Sequence, residues 1–97
     1  PDPVGDRVGE VARRLGVTPE HLARLVRRAT GRTVKALLRE RRLEHACRLL
    51  RASDLPVGVI GARVGYPDPY HFSRVFARHA GIPPTAYRRA SAQPVGR

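Results

Sequence analysis

Apolar residues along this chain recur at helical spacing. Leu22, Leu25, Val26 and Ala29 fall on one side of a helix, and Phe72, Val75 and Phe76 fall on one side of another. No stretch alternates apolar and polar residues as a half-buried strand would. The punctuation between apolar runs divides the chain into helices. Residues 1–5 read as linker, and Asp6 caps a helix over residues 7–15 that Gly16 ends. Thr18, Pro19 and Glu20 supply a cap, a first helical residue and a first-turn acid for a helix that stops at Gly31. A long helix is predicted over residues 33–52. After "ASDLP" come a short helix over 55–64 and one capped by Asp68 that Gly81 ends. The run "IPPTAYRR" predicts a turn and a last short helix, and residues 90–97 read as a disordered tail.

The long helix changes sides. Val34, Leu37 and Leu38 mark one apolar face, whereas Leu43, Ala46, Cys47 and Leu50 mark roughly the opposite one. A helix serving one core keeps its stripe on one side. This one is expected to pack its front half on one motif and its back half on another. At 1.5 Å per residue it is about 28 Å long, near the ~34 Å between successive major-groove faces of B-DNA.

The two motifs are copies of each other. At an offset of fifty, His21 falls on His71, Arg24 on Arg74, Arg28 on Arg78, Gly31 on Gly81 and Ala36 on Ala86. Leu22, Leu25, Val26 and Leu37 fall on Phe72, Val75, Phe76 and Tyr87. Upstream, with a one-residue shift, "VARRLG" falls on "IGARVG". Each copy is a short helix, a tight turn and a second helix, the pattern of a helix-turn-helix. The expected fold is therefore all-α: two helix-turn-helix subdomains, residues 8–32 and 53–89, joined by a linker helix over 33–52. Residues 1–7 are expected as linker or a truncated first helix.

Charge points the copies at a polyanion. The 97 residues carry 19 basic and 8 acidic side chains, a formal net charge of +11, and Lys35 is the one lysine. Such an excess favours nucleic acid or an anionic surface. A G- and C-rich genome accounts for arginine over lysine but not for the imbalance. The single cysteine, Cys47, excludes an internal disulfide, reads as a small core residue and fits a reducing, cytoplasmic setting. No apolar run reaches the ~18 residues of a membrane span. With no methionine, the chain is expected to be processed or part of a longer one. Four histidines and one cysteine without ligand-like spacing offer no metal site. Glu40 and Glu44 sit among Arg41, Arg42 and Arg48, where ion pairing accounts for them. Gly-rich phosphate loops and nucleophile–base pairs are absent, so neither an enzyme nor a cofactor is expected.

Helical geometry sorts the outward faces. Glu20, Ala23, Arg24 and Arg27 project from the first copy, and Tyr70, Ser73, Arg74 and Ala77 from the second. Arg24 and Arg74 occupy equivalent places, each suited to a guanine through O6 and N7 or else simply solvated. Glu20 either accepts from a cytosine amine or serves as a first-turn charge. Tyr70 meets a base, a phosphate or the rim. Thr18, His21, Arg27, Arg28, His71 and Arg78 flank these faces and are expected at the DNA backbone. His45 and His79 are expected to be partly buried.

The run "SDLPVGVIGARVGYPDPYHFSRVFARHAGIPPTAYRR" closely resembles the signature of the AraC/XylS family of bacterial transcriptional regulators, and "RRLEHACRLL" and "EVARRLGVTPEHLARLVRRATG" match its first half. The resemblance covers residues 8–89. It implies a seven-helix domain that binds double-stranded promoter DNA and usually activates transcription by contacting RNA polymerase. It also implies a sensing or dimerisation domain outside this chain. By position it makes Glu20, Ala23 and Arg24 the base-reading residues of the first motif, and Pro69, Tyr70, Ser73 and Arg74 those of the second. The sequence departs from the family in having only residues 1–5 where a full helix usually precedes the first motif. Pro56 and Pro67 stand where capping residues are usual, and Gly58 and Gly61 each weaken the short helix by roughly 1 kcal/mol relative to Ala. Two other readings share this chemistry: a nonspecific architectural DNA binder, and the DNA-binding part of a larger sensor or repair protein.

Overall fold

The second helix of each motif is built by the same local devices. Helix α2 spans Pro19–Thr30 and α5 spans Pro69–Ala80. Thr18 Oγ1 accepts from the His21 N–H at 3.1 Å, and Asp68 Oδ1 accepts from the Tyr70 N–H at 3.0 Å. Proline follows each cap, where its missing N–H costs nothing. Gly31 and Gly81 close the helices in the left-handed region at φ 75° and 87°, and their N–H groups donate to Arg27 O and Ala77 O, both at 2.8 Å.

In the computed structural model, residues 3–92 are described, with side chains from Val8 onward. The remaining helices are α1 (Pro3–Leu15), α3 (Val34–Ala52), α4 (Val57–Arg63) and α6 (Pro84–Ala92). No strand occurs among the described residues, so the all-α expectation holds. Six helices are present among them rather than the seven that the resemblance implied. Three boundaries differ from expectation. Helix α1 starts at Pro3, so Asp6 lies inside it and not at its cap; proline is well suited to the first helical position. Helix α4 starts at Val57 and not at residue 55, because Leu55 precedes Pro56 and is held out of the helical region. Helix α6 continues through Ala92, and the rest of the expected tail, residues 93–97, lies outside the described residues, as do residues 1–2.

The chain divides between Arg41 and Arg42 into two units. In the first, Ala12, Leu22 and Val34 form the buried core, with Val8, Val11, Val17, Val26 and Leu38 packed around it. In the second, Leu43, Ala46 and Leu50 of α3 close over Ile60, Val64, Tyr66, Phe72 and Phe76. Tyr87 of α6 packs its ring edge-on against Phe76 at 5.4 Å. The side switch of α3 thus serves two cores, with Val34 and Leu38 in the first and Leu43, Ala46, Cys47 and Leu50 in the second.

The turns inside the two motifs also match. In the first, Gly16 N–H donates to Arg13 O and Val17 N–H to Ala12 O; in the second, Gly65 N–H donates to Ala62 O and Tyr66 N–H to Gly61 O. Both sets form the Schellman pattern that ends a helix through a left-handed residue. Two arginines reinforce the second unit from within. Arg42 Nη1 donates to Val64 O at 2.8 Å, satisfying a carbonyl just past the end of α4. Arg88 donates to Leu50 O, Ser53 O and Leu55 O, at 3.2, 3.2 and 2.7 Å, gathering carbonyls at and just beyond the end of α3.

The first core leaves more of its apolar surface uncovered. Leu15 is 63% exposed, while its counterpart Val64 is 2% exposed. Leu25 is 46% exposed and Ala29 is exposed, which corrects the expectation that both face the core. The apolar stripe of α2 is wider than the surface its neighbours cover.

Candidate nucleic-acid interface

Each unit presents one face of its second helix to solvent, set by the buried stripe opposite. In the first, burying Leu22 leaves Glu20, Ala23, Arg24 and Arg27 exposed. In the second, burying Phe72 and Phe76 leaves Pro69, Tyr70 and Arg74 exposed and Ser73 half-buried. Tyr70 is 77% exposed, an aromatic ring left in water at the first turn of α5. Arg24 and Arg74 each stand six residues after the N-cap, on the same side of equivalently capped helices. An exposed guanidinium there has the fork geometry for a base edge or a phosphate.

The expected backbone group is also at the surface. Thr18, His21, Arg27, Arg28, His71 and Arg78 are all exposed. His71 is positioned by the core, since its ring packs edge-on against Tyr66 at 5.5 Å between centroids. Thr18 is committed to capping α2 through its oxygen, and its O–H remains a donor. His45 and His79 are both exposed, which overturns their expected partial burial. Each falls on the solvent side of its helix beyond the buried stripe.

Part of the positive charge is spent internally. Arg32 Nη1 meets Glu40 Oε2 at 2.8 Å, and Arg14 lies 3.9 Å from Glu10. Arg42 and Arg88 hold carbonyls. By contrast, Arg24, Arg27 and Arg28 pair with no acid among the described residues. Together with Ala23 and Thr33 they line an open groove of about 560 Å³ on the first unit. Thr33 was legible in sequence only as a helix start, and its Oγ1 does accept from the Ala36 N–H at 3.0 Å. Its place in the groove follows from the turn at Gly31, which brings it back beside α2. Among the described residues there is no metal-binding group of three or more His, Cys, Asp or Glu, and no helix long and apolar enough to cross a membrane.

This arrangement has known counterparts. A helix-turn-helix domain family matches residues 11–90. Over 76 residues the chain is 40% identical to the MmsAB operon regulatory protein of Pseudomonas aeruginosa, covering 78% of this chain and 25% of that protein. Over 68 residues it is 44% identical to the HTH-type transcriptional activator RhaR of Yersinia pseudotuberculosis, covering 70% of this chain and 23% of that one. The chain thus spans about a quarter of the curated relatives it matches. Among solved structures, the C-terminal domain of AraT, a response regulator from Geobacillus stearothermophilus, is similar at a TM-score of 0.81 and 33% identity, over 93% of this chain and 74% of that one.

Proposed function

Because this chain belongs to the AraC/XylS family of helix-turn-helix regulators, whose domain it matches over residues 11–90, we propose that it reads specific double-stranded promoter DNA with α2 and α5 in adjacent major grooves. The observation that carries this reading is the doubled recognition helix. Cap, first-turn proline, outward arginine and left-handed glycine recur in the same register, at Thr18, Pro19, Arg24 and Gly31 and at Asp68, Pro69, Arg74 and Gly81. A nonspecific grip needs basic surface but no such register.

In this reading Arg24 and Arg74 each read one base. Glu20 and Ala23, and Pro69, Tyr70 and Ser73, set preference at neighbouring positions. Thr18, His21, Arg27, Arg28, His71 and Arg78 hold the backbone. The protein acts as a cytoplasmic regulator and not as an enzyme, and as an activator working with RNA polymerase. A sensing or dimerisation domain belongs to the longer protein, in line with the share of its relatives that this chain spans. The name of RhaR supports activation.

Selection of bound sequences from random duplexes tests the reading, followed by footprinting of the monomer. Two preferred blocks about 10 bp apart are expected. Arg24→Ala and Arg74→Ala should each relax preference in a different block by about 1–3 kcal/mol. Failure to enrich any sequence would leave an architectural binder.

A further inference from the structure

Tyr70 carries the most exposed large apolar side chain among the described residues, 77% open at the first turn of α5. Pro67 and Pro69, on either side of the Asp68 cap, are exposed as well. The start of α5 is thus an apolar tip. The first copy has no such tip: Val17 is half-buried where Pro67 is exposed, and Glu20 stands for Tyr70. At equivalent places on two similarly capped helices, one copy offers a carboxylate and the other an aromatic ring. A buried packing role does not account for a ring left in water, so its partner lies outside the chain.

We infer that the Tyr70 ring reads the C5-methyl group of a pyrimidine, so that the second motif tells thymine from deoxyuridine and 5-methylcytosine from cytosine. The inference rests on reading α5 as a recognition helix, and it names the chemical group that Tyr70 selects. The first residues of such a helix are the ones that reach base edges. Among those edges in the major groove, the thymine methyl is the one apolar group. A phosphate is the poorer partner. Asp68 Oδ1 accepts from the Tyr70 N–H at 3.0 Å, so a carboxylate stands beside the tyrosine and repels an anion there. Arg74 lies four residues on, about 6 Å along the same side of the helix. With bases about 3.4 Å apart along a strand, the methyl falls within about two base pairs of the base that Arg74 holds. Modification of cytosine at that one position then becomes a control on binding.

The test uses a site selected from random duplexes and replaces each thymine of it, in turn, by deoxyuridine, which removes a methyl and nothing else. Binding by the wild-type chain, Tyr70→Phe and Tyr70→Ala is then compared, with folding of each checked by circular dichroism. One thymine in the second block should show a loss of about 4-fold on replacement, the worth of one buried methyl-sized group. Tyr70→Phe should keep that loss, and Tyr70→Ala should bind the two duplexes equally. With a C·G pair at the same position, methylating the cytosine should raise wild-type affinity by about the same factor. Thymines of the first block should respond alike in all three chains. A second block in which deoxyuridine costs nothing, or 5-methylcytosine gains nothing, would overturn the inference. So would a methyl effect that survives Tyr70→Ala, or one that Tyr70→Phe already removes, since the hydroxyl and not the ring would then be the reader. Failure to enrich any sequence, or a second-block preference indifferent to Arg74→Ala, would instead overturn the reading of α5 as a recognition helix.

Discussion

At the scale of single residues, the two motifs solve one packing problem in two ways. Where α1 meets α2, Ala12 is fully buried in the core with Leu22; where α4 meets α5, the matching residues are Gly61 and Phe72. A Cβ on Gly61 would lie 2.8 Å from Phe72 Cγ and Cδ2, closer than carbon atoms approach. Small faces large, and medium faces medium. Gly61→Ala should therefore destabilise the protein by about 1–3 kcal/mol in urea unfolding through overpacking, although alanine is the better helix former by roughly 1 kcal/mol. Pairing it with Phe72→Leu recreates the combination of the first motif and should restore part of the loss, a coupling that a double-mutant cycle measures. Additive losses would mean the two positions do not constrain each other. In the sequence Gly61 read only as a weakness in a short helix, because the ring that requires it lies eleven residues away. Arginine roles were legible by half. Helical register turned Arg24 and Arg74 outward, but nothing in charge alone marked Arg42 and Arg88 as donors to backbone carbonyls.

At the scale of elements, the caps carry more than helix ends. They fix where α2 and α5 start, and so which residues face outward. Thr18→Ala and Asp68→Ala should each cost about 1 kcal/mol of unfolding free energy. Thr18→Ser and Asp68→Asn, which keep an accepting oxygen, should cost little in the same measurement. Equal losses in all four would trace the effect to something other than the cap. These devices were visible in sequence because they are local: a cap, a proline and a glycine act within one helical turn. The expected burial of Leu25 and Ala29 failed for the converse reason. An apolar stripe says which side of a helix avoids water, but only the neighbouring elements decide how much of that stripe is covered. The unexpected starts of α1 at Pro3 and α4 at Val57 are both proline effects, one admitting a helix and one delaying it.

At the scale of the whole molecule, the two units differ in how much holds them together. Among the described residues, three are buried in the first core and eight in the second, two phenylalanines and a tyrosine among the eight. Protection from hydrogen exchange follows local burial. Amides of α1 and α2 are therefore expected to exchange faster than those of α4 and α5 in the free protein, as read by mass spectrometry of protein fragments; the reverse order would mean that core size does not rank their stability. The doubling of motifs was plain in the text, but this inequality was not, since Leu15 and Val64 look alike until their surroundings are known. The small core has a thermal consequence. A ligand that binds only the ordered state adds to its stability, so DNA should hold the first motif ordered at temperatures where it opens in the free protein. Where warming opens the smaller core in the free protein, binding must also close it, which makes the heat capacity of association more negative there than rigid docking gives. The protein's grip on its site becomes a curved function of temperature, weakening on warming as the first motif loosens while the second still holds.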